Sequence, residues 1–279
     1  MPNIHIVIDS TAKASAELLA RYDNLHVAPL KVIIGQEEWP EDELPSSDLF
    51  RLAELKRCHP KTSQPALGDF VNIFTPLIAA GQQIIVITVS GGLSGTVQGA
   101  KAAAQMVGAK NIRVVDSGTT LMAIVKMAEA ALEMADAGVE LDEIARCLEA
   151  MAQNTFTLIV PDTLEYLHKG GRIGGASALF GTIFQIKPIL YLVEGKVAVL
   201  DKVRTRPRAI TRIIDELKKQ ERLAYIGVGY NDCLPEVEAL KERIRQNYPD
   251  TPIIINEIGS VLSSHLGPGL LGLIYQKAF

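Results

Sequence analysis

Short hydroxyl side chains gather at four places in this sequence: Asp9-Ser10-Thr11, Lys61-Thr62-Ser63-Gln64-Pro65, Ser90-Gly91-Gly92-Leu93-Ser94-Gly95-Thr96 and Asp116-Ser117-Gly118. In parallel α/β sheets ligands lie beyond the carboxyl ends of strands, so polar residues just after apolar runs are the informative ones. Singly, each cluster reads more readily as a helix cap, because Ser, Thr and Asp satisfy the first free N–H groups of a helix. Together they predict a hydroxyl-rich rim. Thr62-Ser63 stands before Pro65, a residue suited to a first helical turn, and Ser94-Gly95 stands before an Ala-rich helical run. Helix starts of this kind offer free N–H groups and a positive dipole end to an anion. The P-loop pattern G-x-x-x-x-G-K-[ST] is absent, so a small carboxylate fits these segments better than a nucleoside triphosphate.

Two further motifs stand beside them. Gly267-Pro268-Gly269-Leu270-Leu271-Gly272 spells G-x-G-x-x-G, but no room follows it for a βαβ unit, so it does not read as a dinucleotide site. The adjoining Ser263–Gly269 segment reads as a turn able to aim His265 at the rim, although a single histidine taken alone reads more readily as structural. Gly92-Leu93-Ser94-Gly95 resembles a nucleophile elbow, and Ser94, Asp201 and His265 occur in a triad order. A serine-dependent ester hydrolase is therefore the competing reading, weakened because the elbow needs glycine where this chain has Thr96. Cys58, Cys147 and Cys233 are odd in number and far apart, which suggests inert buried thiols and no metal site.

The elements that must position these residues follow a βα rhythm. Strands are expected at Ile4–Ile8, His26–Ile34, Gln83–Ser90 and Asn111–Asp116. Helices are expected at Ser15–Tyr22, Ser47–Arg57 (capped by Ser46 or Ser47), Leu67–Ala80, Thr96–Met106, Thr119–Ala137 and Leu141–Gln153. After a strand at Phe156–Pro161 and a glycine-rich break at Lys169–Gly175 the texture changes. Pro188–Val193 and Lys196–Lys202 look like a hairpin, which a purely parallel sheet would not contain. Helices at Arg206–Lys219 and Pro235–Arg245, with strands at Ala224–Tyr230 and Ile253–Ile258, complete the pattern. The expected fold is α/β with two unlike domains: residues 1–154 with a three-layer parallel sheet, and residues 155–279 with a two-layer mixed sheet. The 279 residues are 48% hydrophobic but only 5% aromatic, the aliphatic composition of helix-covered sheets. A formal charge of −4 argues against nucleic acid, which is bound through clustered basic surface. Without a basic leader or a membrane-length apolar run, a reduced cytoplasmic location is expected.

The words Thr62-Ser63-Gln64-Pro65, Leu93-Ser94-Gly95-Thr96, Leu164-Glu165-Tyr166-Leu167, Gly170-Gly171-Arg172-Ile173, Lys187-Pro188-Ile189-Leu190 and His265-Leu266-Gly267-Pro268-Gly269, in this order after Asp9-Ser10-Thr11, resemble the DegV family over essentially the whole chain. The resemblance implies two unlike α/β domains with a long-chain, palmitate-like fatty acid between them. It places the carboxylate on Thr62 and Ser94, with Ser63, Gly95, Arg172 and His265 nearby, and implies no cofactor beyond the bound acid. It also implies a role for some members as non-catalytic acyl carriers in lipid metabolism. Such a carrier serves a separate, dihydroxyacetone-kinase-like fatty acid kinase subunit that makes an acyl phosphate. Arg172, Arg204 and His265 are then the candidates to meet the incoming phosphoryl group, since developing phosphoryl charge calls for cationic donors. This chain has Ala66 and Gly174 where the family often has serine, so peripheral head-group contacts differ. The apolar run Leu179, Phe180, Ile183, Phe184, Ile186 and Ile189 is the expected tunnel wall.

Overall fold

The computed structural model describes residues 3–181 and 186–278. Its first sheet is parallel, in the order β2 (Leu25–Ala28), β1 (Ile4–Asp9), β6 (Gln83–Thr88) and β7 (Ile112–Asp116). These runs are apolar at successive positions because both faces are covered. On one face Ile6, Ile8, Ile85 and Ile87 pack against α5 (Met122–Asp136) and α6 (Leu141–Gln153), with α1 (Ala16–Arg21) at the side. On the other, Val7, Ile84 and Val86 meet α3 (Leu67–Ala79) and α4 (Thr96–Val107). This is the expected three-layer arrangement, and it aims the carboxyl ends of β1 and β6 at one edge.

The second sheet is mixed, in the order β10 (Lys196–Val203), β9 (Lys187–Val193), β8 (Thr155–Val160), β13 (Leu271–Lys277), β11 (Leu223–Tyr230) and β12 (Ile253–Glu257). One face carries α8 (Arg206–Leu217) and α9 (Leu234–Asn247). The opposite face is covered by the start of α5, by α7 (Glu165–Lys169), by the 3-10 segment Gly174–Leu179 and by α10 (Ser260–Leu266). Apolar residues from both halves of the chain thus share one core. Since α6 ends at Gln153 and β8 begins at Thr155, we propose the division into 1–154 and 155–279 at this point.

Several expectations need correction. The single strand expected at His26–Ile34 is two strands in different sheets, because the chain bends at Pro29-Leu30 and β3 (Lys31–Ile34) leaves to pair with β4 (Glu37–Pro40) and β5 (Lys61–Ser63). Under this small antiparallel sheet lies α2 (Ser46–Leu55), whose cap position is Pro45 and not Ser46 or Ser47. Ser46 is buried and its hydroxyl donates to Ile258 O at 2.6 Å instead, tying α2 to the approach to α10. The helix expected from Thr119 starts at Met122. Leu271–Lys277, absent from the sequence reading, occupies a central place in the mixed sheet. Among the described residues no helix is long and apolar enough to cross a membrane.

Candidate functional site

Where the carboxyl ends of β1 and β6 face the mixed sheet, a cavity of about 330 Å³ opens between the two halves. Thr62, Ser63, Ser94, Gly95, Arg172 and His265 all line it. Arg204 does not: it lies exposed after β10, and nothing brings it to the cavity. The cluster Asp116-Ser117-Gly118 also stays out of the wall. Asp116 instead accepts from Gly91 N at 3.0 Å and from Gly118 N at 2.9 Å, shaping the Gly91-Gly92 loop.

Thr62 is placed by pairing with Val32, in the middle of β5. It therefore does not sit at a helix start, as its distance from Pro65 had implied. The helix α3 begins at Leu67, where Ala66 N donates to Asp69 at 2.8 Å. Ser94 does sit at a helix start, just ahead of the Gly95 cap of α4; its Oγ accepts from Thr96 N at 3.3 Å and lies 2.8 Å from Thr96 Oγ1. With Thr96 as donor in both, the Ser94 O–H is left for the cavity. A Cβ at Gly95 would meet Gln64 Oε1, the end of an exposed, flexible side chain that would have to shift.

His265 lies in the last turn of α10 rather than in a turn, and Thr62 Oγ1 is 2.7 Å from its Nε2. Its Nδ1 is buried without a hydrogen-bond partner and abuts Gly170, where any Cβ would overlap it. Burial, with the nearby Arg172 and His59, pushes the imidazole down to about 4, so it is neutral at pH 7. An N–H at Nδ1 would be a buried donor with no acceptor, which costs about 1–3 kcal/mol. We therefore assign the proton to Nε2, which donates to Thr62 Oγ1 and leaves the threonine hydroxyl to donate into the cavity. Arg172 bridges the two halves, its Nε donating to Leu93 O at 3.0 Å and its Nη1 to Gly170 O at 2.7 Å.

No hydrolytic triad forms. Ser94 bonds Thr96 and not His265, and Asp201 accepts from Arg212 Nε at 2.8 Å, away from the imidazole. That geometry removes the arrangement on which the ester-hydrolase reading rested. Among the described residues no cluster of ligands that could hold a metal ion occurs.

The rest of the wall is mainly apolar, with Thr11 and Thr120 as buried polar members. Val89, Val197 and Val261 are buried members, joined by Leu30, Leu93, Ile159, Leu167, Leu192, Leu262 and Leu266. Exposure runs the other way at the polar end: Gln64, Gly95 and Arg172 are exposed, and Thr62, Ser63 and Ser94 half-buried. The polar end is thus at the mouth and the apolar end inside. The expected tunnel run contributes none of this wall among the described residues. Leu179 and Ile186 pack into the shared core, Ile189 faces α8 and Phe180 stacks on His168 at 3.9 Å; Ile183 and Phe184 lie outside the described residues.

Residues 3–278 match the model of the DegV family, whose description is an uncharacterised protein family. The chain belongs to the DegV family. A DegV domain-containing protein of Listeria monocytogenes is 35% identical over 280 residues, covering 98% of both chains. A DegV family protein of Thermus thermophilus, solved in a study of its fatty acid binding, superposes with a TM-score of 0.90 at 30% identity, covering 99% of this chain and 100% of that one. DegV of Bacillus subtilis, described as a fatty acid binding protein, superposes with a TM-score of 0.87 at 30% identity over 100% of each chain. Four of the DegV words, Thr62–Pro65, Leu93–Thr96, Gly170–Ile173 and His265–Gly269, bring polar residues to the cavity, whereas Lys187–Leu190 brings none. Thr11, from the expected rim cluster Asp9–Thr11, and Gln64, from the first word, line it as well; Thr120 was missed and had only its position after a strand as a signal.

Proposed function

We propose that this chain binds a long-chain fatty acid as its anion, with the carboxylate at the mouth and the acyl tail along the apolar wall. The observation that carries this reading is the ordered polarity of one cavity: hydroxyl donors of Thr62 and Ser94, aligned by His265 and Thr96, at one end, and aliphatic side chains beyond. Fatty acid binding by the Thermus and Bacillus relatives supports the same reading. Burying about fifteen methylenes gives a gross gain of roughly 12 kcal/mol at ~0.8 per CH₂. Desolvating the carboxylate costs several kcal/mol, and each hydrogen bond to it returns about 1.5–3. Affinity therefore comes from the tail, and polarity and register from the mouth.

A head group at the mouth suits a carrier. In this reading the chain has no catalysis of its own and presents the acid to a separate kinase for acyl-phosphate formation, with Arg172 and His265 beside the carboxylate. Arg204 is dropped from that set because of its place outside the cavity. The test is native mass spectrometry of freshly purified protein, then denaturing extraction. A stoichiometric long-chain fatty acid is expected; an empty protein that also fails to take up added palmitate overturns the binding reading.

A further inference from the structure

Behind the apolar wall lies a pair of buried carboxylates that the binding role does not use. Asp9 is 0% and Glu41 1% exposed. Asp9 accepts from Thr11 N at 3.1 Å, from Thr11 Oγ1 at 2.5 Å and from Val89 N at 2.5 Å. Glu41 accepts from Ser10 Oγ at 2.6 Å and from Val261 N at 3.3 Å, and Ser10 Oγ accepts in turn from Leu30 N at 3.0 Å. Thr11, Val89, Val261 and Leu30 are all cavity-lining residues, so the back of the wall is fastened to this pair. Each hydrogen bond comes from a neutral donor, and among the described residues no Lys or Arg bonds either carboxylate.

We propose that seating an acyl anion in the cavity draws a proton onto the Asp9–Glu41 pair, so that ligand binding by this chain is proton-coupled. The proposal rests on the fatty-acid-binding reading and adds its proton stoichiometry. The bound carboxylate would be a third negative charge, held at the half-buried mouth in front of the buried pair. Its place is close: His265 follows Val261 by one turn of α10, about 6 Å of rise, and bonds Thr62 at the mouth. Like charges roughly 10 Å apart at an effective dielectric near 20 shift one another by about one pH unit. The ligand's own charge is met by the Thr62 and Ser94 hydroxyls, whereas Glu41 is the worse-solvated anion and yields first. The other charges facing Glu41 are Lys13, whose stem reaches Gly259, and Asp42 beside it; α10 brings only the neutral His265, and α1 brings Leu19. Burial and the neighbouring Asp9 already bring Glu41 up to about 7, and burial brings Asp9 up to about 6, which sets the coupling near neutral pH.

The experiment is isothermal titration of the full chain with palmitate and with a permanently anionic alkyl sulfonate, in buffers of different ionisation heat. The sulfonate cannot take up a proton itself, so any uptake belongs to the protein. A shift of about one unit from a starting value near 7 predicts uptake of about half a proton at pH 7.5 and about sixfold tighter binding at pH 6.5 than at pH 8.5. Glu41→Gln should remove both effects, and Asp9→Asn, a second variant with the neighbouring charge gone, should shrink them. Binding without uptake and with pH-flat affinity, or wild-type uptake retained in Glu41→Gln, overturns the coupling alone. Failure of palmitate to bind at all overturns the binding reading and the coupling with it.

Discussion

Replacing Thr62 by valine keeps the branched shape but deletes the one oxygen that joins His265 to the cavity. Two costs follow from the geometry. The His265 Nε2–H, now 2.7 Å from a methyl position, becomes a buried donor without an acceptor, which destabilises the fold by about 1–3 kcal/mol. The carboxylate loses one hydrogen bond to a charged group, about 1.5–3 kcal/mol, or roughly 10- to 150-fold in affinity. The freed imidazole N–H offsets part of that loss by turning toward the anion, so the lower end of the range is expected. Binding persists, because the tail term of roughly 12 kcal/mol at ~0.8 per CH₂ is untouched. Titration of wild type and Thr62→Val with palmitate and with methyl palmitate separates the effects, since the ester has the tail without the charge. The acid should weaken about tenfold or more and the ester about threefold or less. Equal losses for acid and ester would show that the change acts through packing, and an unchanged acid affinity would remove Thr62 from the head-group site.

Leu192→Trp places a larger ring in the half-buried wall on β9, so palmitate binding should fall below detection while an eight-carbon acid still binds weakly; undiminished palmitate binding by titration would mean the tail runs elsewhere. Gly170→Ala forces its methyl onto His265 Nδ1 and should lower stability by about 1–3 kcal/mol in thermal melts, whereas Gly68→Ala, at an exposed position of α3 with nothing within 4 Å, should raise it by about 0.5–1 kcal/mol. Glu41, raised by burial from 4.5 to about 7, holds its proton more tightly folded than unfolded, so its contribution is most favourable below pH 4.5 and is lost as pH rises through 7. The stability of wild type minus that of Glu41→Gln should therefore fall by roughly 3 kcal/mol between pH 4.5 and 8, measured by urea denaturation, and a flat difference would refute the assignment.

The head of the site was legible in the sequence because its polar residues stand in short words that also carry glycine or proline. Thr62, Ser94, Arg172 and His265 stand in words whose order is specific, and each reaches the cavity. What positions Thr62 was not legible: Lys61–Ser63 is too short to show a strand period, and its partner β3 was hidden inside one apolar run with β2. The parallel core was plain from its β-branched runs, yet β13 was masked by the glycine pattern that precedes it. Glu41 stands within the acidic stretch Glu37–Glu43, where nothing local marks it as buried, and only the tertiary packing of Gly259 and Val261 against it shows a buried carboxylate. The tunnel run failed for a related reason. Leu179, Ile186 and Ile189 are apolar because they fill cores, while the cavity wall is assembled from residues of β9, β10, α10 and the β-strand ends, which no local pattern connects.

The orientation of each donor argues for holding an anion rather than activating a nucleophile. A general base needs a lone pair aimed at the proton it takes and a partner that stabilises the charge it gains. His265 has neither, since its Nε2 proton faces Thr62 and its Nδ1 faces the Cα of Gly170, with no carboxylate to favour the imidazolium. Protonation is opposed by burial and by the Arg172 charge, which pushes the imidazole further toward neutrality. The same features are what a carboxylate holder requires. A neutral ring that donates to Thr62 fixes the direction of the threonine O–H, and Arg172, clamped between Leu93 O and Gly170 O, fixes the loop that carries Ser94. Donors whose directions are set before the ligand arrives need no reorganisation on binding.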